Sequence, residues 1–354
     1  MKISSLMLVG LASALGVVSA RAQTGTTGAA QGAPATKAAP AAPRPMQLNS
    51  LDQTTKADPF PPVNQKFFTA ATPTVDTVNS FLKTLWGYDP NRIWRVEAIQ
   101  TTAAPGVSKV VVFVSDKSPN AKVQSTAFFV TPDGKHAIAD SSGVISFGVT
   151  PFADNRKLLQ DRADGAWRGS ASKDFLLVEF ADMQCPHCKE AQATMEQIVK
   201  DFPNARVVFQ SFPLVEVHPF AFKAAAYGYC VQKQKNDAFF PYAAAVFDTQ
   251  AALTAETGDE TLKNAVTKAG LDPAAIDACA ATQAIKDQVN ASMKLGEDVG
   301  VDQTPILAVN GHLLPLSQVP YETLKTIIAY QGQMDGVNTG AAATGSVKPP
   351  TLVK

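Results

Sequence analysis

Two cysteines stand in the run Cys185-Pro186-His187-Cys188, which places their thiols one helical turn apart. A Cys-x-x-Cys pair can hold zinc, carry a structural disulfide or exchange disulfides with other thiols. Structural zinc takes about four protein ligands, and the sequence has no second Cys-x-x-Cys or histidine pair to supply the remainder. A disulfide across two residues closes a very small loop and stabilises little. The pattern therefore favours redox exchange.

The position of the pair along the chain supports this interpretation. The run Phe175-Leu-Leu-Val-Glu-Phe180 is almost continuously apolar, as in a strand buried on both faces, and a helix is predicted over about 186–202. Cys185 then stands at the helix N-terminus, where unpaired N–H groups and the positive dipole end stabilise a thiolate. We expect Cys185 to be an exposed nucleophile with a lowered pKa, and Cys188 to be the buried resolving thiol.

Five further residues are candidates for the same site. Pro186 suits the first helical turn, and His187 adds a potential positive charge beside the nucleophile. Glu179 interrupts the apolar strand, and a buried carboxylate is costly without a partner or a task. It either exchanges a proton with the resolving thiol or reaches solvent at the strand end. A cis bond between Thr304 and Pro305 would place the Thr304 backbone against the cysteines, ready to pair with an extended substrate; a trans proline starting a strand is the alternative.

The N-terminus resembles an export signal. A positive start, Met1-Lys2, precedes an uncharged stretch over 3–20, and Ala20-Arg21-Ala22 offers small residues at a cleavage site. We predict a signal peptide over 1–22, a mature chain that begins at Gln23, and a periplasmic or secreted protein; an uncleaved anchor is the alternative. In an oxidising compartment the four cysteines indicate disulfides.

The composition limits the remaining possibilities. Lys+Arg and Asp+Glu both number 31, so no net field indicates a nucleic-acid partner. Residues 23–50 are rich in Ala, Pro, Gly and Thr, which predicts a disordered linker, and residues 332–354 predict a disordered tail. Two folded blocks lie between these segments.

The first block, 51–155, predicts a small α+β domain. Apolar residues at helical spacing over 74–86 end at Gly87. Four β-type runs follow, over 93–99, 107–115, 123–131 and 137–145, and a Pro132-Asp133-Gly134 turn separates the last two. This block contains no cysteine and no cluster of titratable residues, so we expect it to carry no chemistry.

The second block, 160–331, predicts an α/β domain. After the strand and the helix of the cysteine motif come a second strand at 207–209 and a helical region over 219–300, with breaks near Pro241, Gly258 and 270–273. A hairpin across Asn310-Gly311 and a closing helix over 321–330 complete it. The order is β-α-β, a helical insertion, then β-β-α.

The strand with Glu179, the Cys185–Cys188 motif, the helical insertion and Thr304-Pro305 together resemble the DsbA branch of the thioredoxin superfamily. The resemblance implies an α/β thioredoxin-like fold with an inserted helical domain, here preceded by the small α+β domain. It implies Cys185 as nucleophile, Cys188 as resolver, His187 as tuner of the thiolate, Glu179 as buried acid and Pro305 as cis-proline. It also implies protein clients with thiols, a membrane redox partner for recycling, and no cofactor or metal beyond the redox-active disulfide. The two remaining cysteines, Cys230 and Cys279, fall in the insertion, where this branch often carries a structural disulfide.

Thr304 departs from the DsbA pattern, which has an apolar residue before the proline, and is similar to the isomerases DsbC and DsbG. Those isomerases also carry an N-terminal dimerisation domain. We interpret the chain as a monomeric oxidase of protein thiols, because the insertion and Cys-Pro-His-Cys outweigh Thr304. The alternatives are a dimeric isomerase or reductase, a chaperone of the export compartment, or a copper carrier that uses Cys185, His187 and Cys188 as ligands.

Overall fold

The computed structural model describes residues 59–139, 143–337 and 339. The predicted signal peptide (1–22) and linker (23–50) lie outside the described residues, as do residues 340–354 of the predicted tail. Within the described ranges, no helix is long and apolar enough to cross a membrane.

In the described part of the chain, the first folded unit contains one α-helix before its sheet, α1 (Val75–Trp86). The Thr74 hydroxyl caps it by accepting a hydrogen bond from the Thr77 amide at 3.1 Å. The apolar residues at helical spacing lie on one face, where Val78, Phe81 and Leu82 are at most 2% exposed. That face packs on the strands that follow, so the helix predicted over 74–86 is confirmed.

An antiparallel sheet supports this helix. Its strands, in spatial as in chain order, are β1 (Arg92–Thr101), β2 (Ser108–Asp116), β3 (Gln124–Val130), β4 (His136–Ala139) and β5 (Gly143–Ser146). The single strand predicted over 137–145 is wrong, because β4 and β5 pair antiparallel, with Ala137 opposite Ile145. Gly143 has a φ of 67°, a left-handed conformation that interrupts an extended run and that glycine adopts without steric cost.

Helix α2 (Ala153–Arg162) follows the first sheet but packs on the second. Its Leu159 is fully buried in a cluster with Leu176 and Val178 of the second sheet. The Asn155 side chain also donates to the Val299 carbonyl at 3.0 Å. This helix therefore belongs to the second unit. The boundary predicted between the two blocks, at 155–160, falls inside it.

The second sheet is mixed and has the order β10-β9-β7-β8-β6. Its strands are β6 (Ala166–Gly169), β7 (Leu176–Ala181), β8 (Arg206–Ser211), β9 (Ile306–Val309) and β10 (His312–Pro315). The central strand β7 runs parallel to β8 and antiparallel to β9, and every residue of β7 is buried. The short edge strand β6 was not predicted, whereas the hairpin at Asn310-Gly311 is confirmed, and both turn residues have positive φ.

Helices cover both faces of this sheet. Helices α3 (Pro186–Asp201) and α9 (Tyr321–Met334) share an apolar cluster with one face, and α2 and α8 (Gln283–Val299) share another with the opposite face. Helix α9 continues beyond the predicted end at residue 330, and Gln331 is only 3% exposed. The prediction of a disordered tail from 332 is therefore wrong for the last turn of this helix, which packs on the sheet.

The helical insertion lies between β8 and β9. It comprises α4 (Ala221–Gln234), α5 (Phe239–Asp248), α6 (Gly258–Lys268), α7 (Pro273–Ala280) and α8. Pro241 does not break a helix as predicted: it occupies the first turn of α5, where the amide has no intrahelical partner to lose. A disulfide joins Cys230 of α4 to Cys279 of α7, with the Cα atoms 6.0 Å apart. The predicted second disulfide is confirmed.

Candidate active site

The cysteine pair lies where β7 ends and α3 begins. Strand β7 ends at Ala181, a turn forms with the Cys185 amide donating to the Asp182 carbonyl at 3.1 Å, and Cys185 is the N-cap of α3. Pro186 occupies the first helical position, where its missing N–H costs nothing. Both Cys185 and Cys188 are free thiols. The pair therefore stands at a helix N-terminus, as the sequence indicated.

Cys185 is less exposed than predicted. It is 5% exposed and Cys188 is fully buried, so the expectation of an exposed nucleophile is wrong. Two neighbouring segments account for this. The Cys185 sulfur lies 3.8 Å from the Thr304 carbonyl, to which it donates, and the Gln250 side chain, just beyond α5, donates to the Cys185 carbonyl at 3.0 Å. Access to the Cys185 sulfur therefore lies beside the residue 304 loop and the insertion.

The Thr304–Pro305 peptide bond is cis and directly precedes β9. β9 pairs with β7, the strand that leads into the cysteine motif, and this pairing brings the loop of Thr304 to the thiols. The Thr304 hydroxyl is buried and has no hydrogen-bond partner in this structure of the dithiol. It lowers the pKa of both thiols, because it can donate to either sulfur once that sulfur carries a charge.

The two thiols are driven in opposite directions. The pKa of Cys185 is lowered to about 5, first by the hydrogen bond with the Cys188 thiol and then by Thr304 and the backbone N–H groups of Cys188 and His187, against an opposing effect of burial. The pKa of Cys188 is raised well above its ordinary value, first by burial and then by the adjacent Cys185. At neutral pH the pair therefore holds one thiolate, on Cys185, and one thiol.

His187 contributes to this asymmetry through its backbone. The His187 side chain is 66% exposed, and its Nδ1 lies 3.1 Å from Glu190 Oε2, one turn along α3. The backbone N–H of His187 is what lowers the pKa of Cys185. The sequence assigned this effect to the charge of the ring, whereas the geometry places the ring beside Glu190 in solvent.

Glu179 lies inside the protein, on the face of β7 that α3 covers. It is 3% exposed, and burial raises the pKa of its carboxyl to about 7. The Gln192 side-chain amide donates both to Glu179 Oε1, at 2.8 Å, and to the Cys188 carbonyl, at 3.0 Å. Glu179 also lines a cavity of about 320 Å³ between α3, β8 and α5. A carboxyl with this pKa can take or give a proton at neutral pH, and the cavity offers a path to solvent.

Several residues of the site were not predicted. Asp182 and Gln184 of the active-site turn, Gln192 of α3 and Gln250 of the insertion all hydrogen-bond to the cysteine segment or to its neighbours. Gln192 had a detectable signal, since it follows Cys188 by four residues and so shares its helix face. Gln250 lies 65 residues beyond Cys185, and no local pattern connects the two. His218 contacts the Asp182 carboxylate at 2.7 Å. Within the described residues, no group of three or more His, Cys, Asp or Glu could hold a metal ion.

Because its pKa is lowered, we expect Cys185 to be alkylated at an acidic pH at which ordinary thiols do not react. At pH 6 a thiol of pKa about 5 is ~90% ionised, whereas an ordinary thiol of pKa ~8.5 is ionised below ~1%. Reduced protein should therefore react with iodoacetamide at Cys185 alone, with a rate midpoint near pH 5. Thr304→Val should move the midpoint upward, because it removes a donor to the thiolate without a large change in volume. A midpoint near 8.5 in the unmodified protein would contradict this account; peptide mass mapping identifies the modified residue.

Comparison with known proteins agrees with this geometry. Residues 162–329, just under half of the chain, match the family model described as Thioredoxin. The matched range contains the Cys185–Cys188 pair, the helical insertion and the Thr304–Pro305 bond.

Three solved structures are among those similar to this chain. A periplasmic thioredoxin-like protein from Salmonella enterica serovar Typhimurium is 22% identical, with 50% of this chain and 95% of that chain covered and a TM-score of 0.42. The thiol-disulfide exchange protein alpha-DsbA2 from Wolbachia pipientis is 21% identical, with 49% and 94% covered and a TM-score of 0.42. Oxidised BdbD from Bacillus subtilis is 19% identical, with 48% and 93% covered and a TM-score of 0.43.

Two curated relatives match a short segment. They are the Na(+)/H(+) antiporters NhaA 1 of Salinispora arenicola, 38% identical over 58 residues, and NhaA 3 of Salinispora tropica, 36% identical over 58 residues. The match covers 16% of this chain and 9% of each antiporter. The chain thus spans about a tenth of the length of these relatives.

Proposed function

We propose that this protein is an exported thiol–disulfide oxidoreductase that oxidises protein thiols through a mixed disulfide at Cys185. The observation that carries the proposal is the asymmetry of the pair: Cys185 is a stabilised thiolate at the start of α3, and Cys188 is a buried thiol one turn later. A stabilised thiolate in the reduced form makes the corresponding disulfide a stronger oxidant. The direction of exchange therefore favours oxidation of the client.

The reaction takes two displacements. A client thiolate attacks the Cys185 sulfur of the Cys185–Cys188 disulfide, the client–Cys185 bond forms, and Cys188 leaves with the electron pair and takes up a proton. A second client thiolate then attacks the client sulfur of the mixed disulfide and releases Cys185 as a thiolate. The client gains one disulfide and the enzyme two electrons, which a membrane redox partner removes in the recycling step.

Glu179 is the proton donor and acceptor for Cys188 in this scheme. Its carboxyl is buried beside the start of α3 and is held by Gln192, which also contacts the Cys188 carbonyl. With a pKa of about 7 it can protonate the departing Cys188 thiolate and take the proton back when Cys188 attacks. The cavity beside it connects this proton to solvent.

Glu179→Gln should slow the steps in which Cys188 attacks or leaves by ~10²-fold, as expected for loss of a positioned acid–base group. It should leave attack by Cys185 nearly unchanged. An aromatic disulfide with a coloured thiolate product separates the steps: its first product equivalent reports attack by Cys185 and its second reports closure by Cys188. In the unmodified protein the second rate should rise as pH passes about 7, because the ionised form of Glu179 accepts the proton. This rise should disappear in the variant.

Asp248→Asn provides the matched control. Asp248 is an exposed carboxylate that lines the same cavity, and the described structure shows no hydrogen bond or ion pair between it and the cysteine segment. Asp248→Asn should close its disulfide at the unmodified rate. If Glu179→Gln also closes at that rate, Glu179 is a strand residue without a role in exchange.

An isomerase is the second candidate, because Thr304 precedes the cis-proline and a separate α+β unit precedes the redox domain. Full-length protein should be monomeric by light scattering and should oxidise reduced ribonuclease faster than it reactivates scrambled ribonuclease. A stable dimer with the reverse preference would establish the isomerase instead.

Export completes the proposal. The signal-like start and the Ala20-Arg21-Ala22 site support a mature start at Gln23. Intact mass of the protein from the soluble exported fraction should lack residues 1–22. A membrane fraction that retains them would mean an anchored enzyme.

A further inference from the structure

Asp182 is a buried carboxylate that the scheme above does not use. It lies in the turn between β7 and α3, and its side chain has no exposed surface. Three donors reach it: the Gln184 amide at 2.7 Å, the Leu214 amide at 2.8 Å and His218 Nδ1 at 2.7 Å. A carboxylate taken out of water is stable only when such donors replace the lost solvent. Its orientation is therefore fixed from two sides, by its own turn and by the segment after β8.

The backbone of the same residue faces the cysteines. The Asp182 N–H donates to the Cys188 sulfur, at 3.4 Å, and the Asp182 carbonyl accepts from the Cys185 amide, at 3.1 Å. The N–H lowers the pKa of Cys188 and so offsets part of the effect of burial. One residue thus contacts both cysteines with its backbone and the 214–218 segment with its side chain.

His218 is brought to Asp182 by a tight local fold. The amides of Val217 and His218 donate to the Leu214 carbonyl at 3.0 and 2.9 Å, which turns the chain back toward the active-site turn. The His218 side chain is 20% exposed, so the contact with Asp182 lies at the edge of the core. The imidazole reaches the carboxylate but makes no described contact with either cysteine.

We propose that Asp182 and His218 are positioning residues: their carboxylate–imidazole contact holds the Asp182 N–H against the Cys188 sulfur, and this donor stabilises the Cys188 thiolate as it forms or breaks its bond to Cys185. This inference rests on the proposed function. In the closing step, Cys188 gives its proton to Glu179, its sulfur attacks Cys185, and the bond between Cys185 and the client sulfur breaks. The client sulfur leaves as a thiolate with the electron pair. A displaced N–H would leave the attacking sulfur without a donor in a buried site.

Two substitutions at His218 test this. His218→Ala removes the donor. His218→Asn retains an N–H on the atom bonded to Cγ, as in histidine Nδ1, but carries no charge. Each variant, as full-length protein, is followed by the two-phase release of the coloured thiolate described above. His218→Ala should leave the Cys185 phase unchanged and slow the Cys188 phase about tenfold, the size expected for loss of a hydrogen bond to a charged group. His218→Asn should restore most of that loss.

Tyr229→Phe is the control for general loosening of the domain. The Tyr229 hydroxyl is buried and donates to Asp164 Oδ1 at 2.9 Å, in a described hydrogen-bond network that contains neither Cys185 nor Cys188. It should leave both phases unchanged. Equal slowing in Tyr229→Phe and His218→Ala, an unchanged second phase in His218→Ala, or a failure of His218→Asn to restore the rate would each overturn the inference. If the unmodified protein releases no second equivalent, it is the proposed function that fails.

Discussion

Replacement of Cys185 by serine is expected to abolish exchange, with a loss of about 10³-fold or more, because Cys188, the other free thiol, is fully buried and its raised pKa keeps it protonated. Replacement of Cys188 by serine should give a different defect. Cys185 retains a stabilised thiolate and attacks a client disulfide, but the mixed disulfide has no neighbouring thiol to resolve it. Turnover stops with the client attached to Cys185.

The two variants are compared on a client with a known disulfide. Non-reducing electrophoresis and intact mass should show a covalent adduct in Cys188→Ser, absent from Cys185→Ser and reversed by dithiothreitol. The Cys185 thiolate should remain reactive at pH 6 in Cys188→Ser, although its pKa should rise because the hydrogen bond from Cys188 is the first cause of its lowering. An adduct in Cys185→Ser would reverse the roles of the two thiols.

Removal of the disulfide between α4 and α7 should give the largest loss of stability. The bridge joins Cys230 and Cys279, which are 49 residues apart in the chain. In the chain-entropy model, opening a disulfide that closes a loop of this length lowers the free energy of unfolding by about 4 kcal/mol. Cys230→Ala/Cys279→Ala should shift the midpoint of urea unfolding accordingly, and should release the insertion helices first, because the bridge lies within their own core.

The same disulfide should resist mild reduction. Cys230 is fully buried, whereas the Cys185–Cys188 couple is strongly oxidising in this account, so low dithiothreitol should reduce the active site alone. Peptide mapping under non-reducing conditions follows both pairs. For the stability prediction, an equal midpoint of urea unfolding in Cys230→Ala/Cys279→Ala and in the unmodified protein would mean that the bridge does not constrain the unfolded chain.

Local patterns were sufficient to predict the framework of the redox domain. Three features depend only on neighbours in the sequence, and the structure has each where it was predicted. They are the apolar strand β7, the cysteine motif at the start of α3 and the turn at Asn310-Gly311. The strand predicted over 137–145 was wrong because apolar content at both ends outweighed Gly143 in the pattern. Helix α9 was predicted too short because Gln331 is polar, although its position on the core face makes it buried.

Contacts across the fold could not be predicted in this way. The burial of Cys185 depends on Thr304 and Gln250, which are distant in the chain and approach it only once β9 pairs with β7 and the insertion folds back. The same holds for Asp182 and His218, 36 residues apart. Nothing in the sequence around His218, which precedes Pro219, indicates that its ring contacts the carboxylate of Asp182.

The reduction potential of the Cys185–Cys188 couple is the most direct test of the central claim. The protein is equilibrated in glutathione buffers of known potential, and the fraction of reduced Cys185 is measured by alkylation. A Cys185 thiolate with a pKa of about 5 predicts an oxidising couple, nearer to about −120 mV, as in DsbA, than to about −270 mV, as in thioredoxin. A potential at or below about −270 mV would show that the protein is a reductase, and would contradict the proposal that it oxidises protein thiols.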